Sequence, residues 1–124
     1  ITGGGIANKV LEAPESTSFF LGGIVANHST LKVKFGLVKP KTIAKFGAVS
    51  SSVASEMSDG VKKMTNSDVS IASTGLVNTE NNVYSRDQTG IVFLSWNIHD
   101  KIKKWDKIVF FGNKNIATKN KFIF

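Results

Sequence analysis

The chain has 124 residues, 41% of them apolar and 20% charged, which supports one packed core, leaves no room for a second, and excludes a disordered tail. No cysteine is present, so disulfides and thiolate metal sites are excluded. The formal charge of +7 comes from lysines, Arg86 being the one arginine; point charges without guanidinium forks argue against a sequence-reading nucleic-acid binder and favour a solvated basic surface over an anionic partner.

In chain order, Thr2-Gly3-Gly4-Gly5 leads into Ile6, Ala7, Val10 and Leu11, whose spacing predicts a short helix ending before Pro14. Phe19 to Ala26 reads as a buried strand with a bulge or close approach at Gly22-Gly23. It is the longest apolar run and falls far short of the ~20 residues of a bilayer span, so no membrane segment is expected. Ser29 caps a helix over Thr30 to Phe35 that stops at Gly36 in the left-handed region, and Pro40 opens another that closes at Gly47.

The strongest helix follows Ser50, a serine N-cap, with Val53, Met57, Val61 and Met64 on one face and Glu56, Asp59, Lys62 and Lys63 on the other. Val69 to Thr74, Ile91 to Trp96 and Lys107 to Phe111 read as strands, separated by a polar loop over Asn78 to Thr89, and a final helix begins at Asn113. Strands alternating with helices predict an α/β fold: a three-layer α/β/α sandwich with a mostly parallel or mixed sheet, a single domain over residues 1–124. Trp96, Trp105 and the phenylalanines are expected in the core or at strand edges, and they are not interleaved with arginine as a base-stacking surface would be.

Several motifs then fall into one order. Ile1-Thr2-Gly3-Gly4, Glu15-Ser16-Thr17, Phe20, Gly23-Ile24-Val25-Ala26-Asn27, His28-Ser29-Thr30-Leu31-Lys32, Gly47-Ala48-Val49-Ser50 with Met57, Thr74-Gly75-Leu76-Val77-Asn78, Gly90-Ile91-Val92-Phe93 and Gly112-Asn113-Lys114 occur along nearly the whole chain. In this order they resemble the CinA C-terminal domain family, whose pattern has a strand running into Ser-Cys-Thr-Gly-Gly, then Gly-Ser-Ser, Phe, Gly-Val-Val-Ala-Tyr, Ser-Asn-Glu-Ala-Lys, Gly-Ala-Val-Ser, Ser-Gly-Ile-Ala-Gly, Gly-Thr-Val-Trp and Gly-Asp-Arg. Against that pattern the first strand and the end of the last helix are missing, and Ile1 in place of methionine fits a chain shortened at its start.

The resemblance implies hydrolysis of the carboxamide of nicotinamide mononucleotide by a hydroxyl–lysine dyad, carried here by Thr17 and Lys32, with Ser16 a stand-in for the hydroxyl. A hydroxyl becomes a useful nucleophile when a neighbouring base takes its proton, and a lysine serves as that base when burial lowers its pKa. Around the substrate the resemblance places Thr2, Gly3, Gly4, Asn27 and Gly75; the glycine-rich helix start could also offer backbone N–H groups to a phosphate. The bland readings are a turn hydroxyl for Thr17 and one more exposed lysine for Lys32.

Departures from the pattern bear on activity. Asn27 stands for the family's tyrosine, Asn78-Thr79-Glu80-Asn81-Asn82 for its Gly-Pro-Gly-Gly loop, and the terminal arginine is absent, with Arg86 or Lys114 as replacement charge. A catalytically degenerate paralogue that binds a nucleotide or a protein without turnover is therefore the alternative to an amidohydrolase. His28 and His99 lack acidic or thiol companions at ligand spacing, so no metal is expected, and the implied chemistry needs no cofactor. The expected partners are a small-molecule nucleotide and a second copy of the chain in a dimer, with no membrane and no nucleic acid, and the expected compartment is the cytoplasm.

Overall fold

The computed structural model describes residues 3–76 and 90–109. Among these residues five helices precede one sheet: α1 (Gly5–Leu11), α2 (Ser16–Phe19), α3 (Ser29–Lys34), α4 (Pro40–Phe46), α5 (Ser51–Thr65), β1 (Val69–Leu76), β2 (Ile91–Ile98) and β3 (Ile102–Val109). The sheet has the order β1-β2-β3 and is antiparallel throughout. The mixed α/β character matches the expectation; the sandwich layering and the parallel strands are not seen among the described residues.

Local chemistry sets the helix ends. Ser50 Oγ accepts the Val53 N–H at 3.2 Å and starts α5. Pro40 occupies the first turn of α4, where its missing N–H costs nothing, and Gly47 ends it. Gly36, at φ 68°, follows α3. The cap of α3 is His28 and not Ser29: its Nδ1 accepts the Thr30 N–H at 3.2 Å.

Two stretches depart from the sequence reading. Phe19 to Ala26 is not a strand: Phe19 closes the single turn α2, Phe20 N–H bonds back to Ser16 O at 2.8 Å, and Gly22 at φ 145° interrupts regular pleating. Residues 20–27 run extended without a ladder partner among the described residues, leaving Leu21 and Val25 exposed. The last strand includes Lys107 to Val109 but starts earlier, at Ile102, because Ile98–Lys101 forms a tight hairpin turn; residues 110 and 111 lie outside the described residues. His99 and Asp100 take φ 52° and 57°, and Lys101 N–H reaches Ile98 O at 3.0 Å, as in a type I′ turn. The expected loop at Asn78 to Thr89 and the helix from Asn113 lie outside the described residues.

The core forms where α5 crosses β1 and β2. Val53, Ala54 and Met57 are buried with Ala72, Leu37 and Val38, whereas Met64, expected on the same face, is 53% exposed. Strand register puts Ser70, Ala72 and Thr74 beside Asn97, Ser95 and Phe93 on the face toward α5. That face is small and polar, and its buried hydroxyls are satisfied. Ser70 Oγ donates to Ser58 O at 2.8 Å, Thr74 Oγ1 to Ala48 O at 2.7 Å, and Ser95 Oγ to Lys104 O at 3.1 Å. The opposite sheet face is apolar and partly open, with Val69, Ile71 and Ile102 exposed, as are Phe19, Phe35, Phe46 and Trp105 elsewhere. The core or strand-edge placement expected of the aromatics therefore fails for Phe19, Phe35 and Phe46, while Trp105 lies on the edge strand β3.

The polar side of α5 is tied down and not merely solvated. Glu56 accepts Lys39 N–H at 2.9 Å and Thr42 Oγ1–H at 2.8 Å, holding the start of α4. Asn97, fully buried, donates from Nδ2 to Asp59 Oδ1 at 2.6 Å and to Asp100 Oδ1 at 3.0 Å, and accepts Asp100 N–H at 2.9 Å. The Asn97 amide, with Lys62 beside it, holds the Asp100 carboxyl below the usual carboxylate range.

Two substitutions test this packing. A Cβ on Gly60 would sit 2.7 Å from Leu37 Cα, a backbone atom that cannot swing away. Gly60→Ala is thus expected to lose about 1–3 kcal/mol in urea unfolding despite its better helix propensity. Asn97→Ala removes the part-buried contact to Asp59 and the side-chain support of the hairpin turn, with an expected loss of about 2 kcal/mol in the same assay.

Candidate functional site

Lys32 is the buried titratable group of the described residues. It is 6% exposed, although it sits on a six-residue surface helix beside exposed Lys34. Its Nζ turns inward and donates to Ala26 O at 2.6 Å and Asn27 O at 3.2 Å, at the end of the extended segment. No carboxylate contacts it among the described residues. Burial without a counter-charge disfavours the ammonium and pushes the amine below its ordinary pKa.

The backbone of the same residue is also used. Lys32 O accepts the N–H groups of Leu37 and Val38 at 3.0 and 3.2 Å, so the turn that delivers both residues to the core closes on the lysine itself.

Lys32 opens onto a cavity of about 760 Å³ that runs between the extended segment, α1 and the outer edge of β1, within the range of small-molecule sites. Gly3, Gly4, Asn27 and Gly75 share its wall with Lys32. Gly3 and Gly4 have φ of 58° and 95°, values that favour glycine, and α1 lies close against the segment, where a Cβ added to Gly23 would sit 3.7 Å from Ala7 Cβ. Thr2 lies outside the described residues.

The hydroxyls of α2 diverge because successive residues of a helical turn point about 100° apart. Ser16 is buried and donates to Leu11 O at 3.2 Å; Thr17 is exposed; neither is among the residues that line the cavity. Ser18, which the sequence reading passed over, does line it, and its Oγ donates to Glu15 O at 2.7 Å. Recognising the short turn α2 would have shown that three adjacent hydroxyls cannot share a direction.

His28 is exposed and spent as a helix cap. His99 lies in the hairpin turn, 3.7 Å from Asp68. No group of three His, Cys, Asp or Glu side chains stands close enough to hold a metal among the described residues. No helix there is long and apolar enough to cross a membrane.

A mixed α/β domain with a glycine-rich first helix and a buried lysine facing a cavity defines the class of protein. Comparison with known sequences gives the family: residues 1–122 match the CinA C-terminal domain, and the chain belongs to that family. A relative from Clostridium novyi (strain NT) is 34% identical over 102 residues, 82% of this chain and 24% of the relative. A CinA-like protein of Thermotoga neapolitana is 39% identical over 75 residues, 60% and 18% of the two chains. The chain thus spans about a quarter or less of the length of these two relatives. A CinA superfamily structure from Klebsiella pneumoniae 700603 superposes with a TM-score of 0.84 at 26% identity, covering 98% of this chain and 74% of that one. The Escherichia coli structure of the same superfamily gives 0.83 at 27%, covering 98% and 70%.

Desolvation of Lys32 has a thermodynamic sign. Its native pKa lies below the ordinary ~10.4, so between the two values the unfolded chain holds more protons and stability rises with pH. Below the native pKa both states carry the charge, and the full cost of burying it is present. Urea unfolding of the parent and of Lys32→Met across neutral to alkaline pH is therefore expected to show the parent gaining on the variant as pH rises toward ~10.4.

Proposed function

We propose that this domain is an amidohydrolase acting on the carboxamide of a pyridine nucleotide, nicotinamide mononucleotide being the substrate the family resemblance implies. The observation that carries the reading is Lys32, a buried amine without a carboxylate partner among the described residues, which faces a cavity of ligand size. In its neutral form this amine spends two N–H groups on the Ala26 and Asn27 carbonyls and keeps a lone pair to accept a proton.

A hydroxyl of the Ser16–Phe19 turn attacks the carboxamide carbon. Lys32 takes its proton and returns it to the departing ammonia, backbone N–H groups hold the oxyanion, and water releases the acid. No metal or cofactor enters this sequence of steps. Self-association in the cytoplasm belongs to the same proposal: a second copy would cover apolar surface such as Val69, Ile71 and Ile102.

A second reading is favoured by the placement of Thr17. The residue that the resemblance makes the nucleophile is not on the cavity wall with Lys32, which fits a paralogue that binds a nucleotide and does not turn it over.

Ammonia release from nicotinamide mononucleotide separates the two. The amidohydrolase reading predicts turnover that falls roughly a hundredfold to ten-thousandfold in Lys32→Ala. A folded parent protein that binds the nucleotide and releases no ammonia contradicts it and leaves the non-catalytic module.

A further inference from the structure

Within the amidohydrolase reading, on which this inference rests, we infer that the nucleophile is Ser18. A nucleophile and its base must open onto the same space. Three consecutive hydroxyls sit on α2, and they differ in where they point. Ser16 is 7% exposed and committed to Leu11 O. Thr17 is exposed to solvent away from the cavity wall. Of the three, only Ser18 lines the cavity that Lys32 lines.

The fold fixes this choice through the start of the turn. Glu15 takes a left-handed conformation, φ 57°, and Ser16 packs inward behind it. With Ser16 directed into the protein, the rotation of a helical turn carries Ser18 round to the cavity side. The side chain is exposed and unbranched, so it lacks the extra methyl group that restricts a threonine. Its Oγ–H rests on Glu15 O at 2.7 Å, and a hydroxyl proton rotates to a new acceptor at little cost.

The steps balance without an external reagent other than water. Ser18 Oγ bonds to the carboxamide carbon while its proton passes to the neutral Lys32 amine. The C–N bond then breaks as Lys32 returns the proton to nitrogen, which leaves as ammonia. Water splits the resulting ester, giving the acid and restoring Ser18.

The test combines turnover with chemical labelling. Ser18→Ala, shown by circular dichroism and urea unfolding to keep the parent fold, is expected to lower ammonia release by at least ~100-fold. A fluorophosphonate probe mapped by mass spectrometry should label Ser18 in the parent and fail to label this position in Lys32→Met. Near-parental turnover in Ser18→Ala, or a label on Thr17 or Ser16, overturns the assignment while leaving the amidohydrolase reading intact. A parent with neither turnover nor label removes both.

Discussion

Burying a lysine amine with no carboxylate beside it among the described residues is the constraint around which this part of the molecule is arranged. The ammonium loses water and recovers two carbonyl contacts among the described residues, so the protein shifts the amine toward neutrality. In return, Lys32 connects three pieces of chain. Its side chain fixes the end of the extended segment at Ala26 and Asn27, its own helix rests on the His28 cap, and its carbonyl closes the turn that places Leu37 and Val38 in the core. A group held from both its ends is poorly suited to be incidental, and its cost is understandable if a neutral amine is what the site requires.

Around that centre, stability comes from close approach more than from a large apolar core. Gly60 lets α5 come against the Leu37 backbone, and Ala54, Ser58 and Ala72 keep the helix–sheet contact thin. Thin contacts bury backbone and hydroxyl groups, which explains why Ser58, Ser70, Thr74 and Ser95 each find an acceptor. The Asn97 network then joins α5 to the hairpin between β2 and β3 through Asp59 and Asp100. The result is a packed half, α5 with the sheet, against which the glycine-rich first helix and the extended segment frame a cavity.

What could be read in advance follows from how local each signal is. Ser50, Pro40, Gly36 and Gly47 mark helix ends through their own backbone chemistry, and they do so in the structure. The strands at Val69 and Ile91 were legible from β-branched and aromatic runs. The hairpin was not, because His99-Asp100 is a poor type I′ sequence that depends on the buried Asn97 side chain for support. The run from Phe19 to Ala26 looked like a strand from composition; its conformation is decided by Ser16 packing inward and by Gly22. Met64 has the right spacing for the core and is nevertheless exposed. For the site, Lys32 was visible through its motif, while the burial that gives it chemistry and the divergence of Ser16, Thr17 and Ser18 exist only in the folded chain.

Burial of Lys32 holds its amine below the ordinary lysine pKa. Selective labelling of lysine ε-carbons, with the Lys32 signal assigned by its loss in Lys32→Met, allows its titration to be followed directly by NMR. The structure predicts a midpoint clearly below that of the exposed lysines of the same molecule, such as Lys34. A midpoint at the ordinary lysine value of ~10.4 would contradict the account, since a lysine that titrates as if in water is neither buried nor equipped to act as a base.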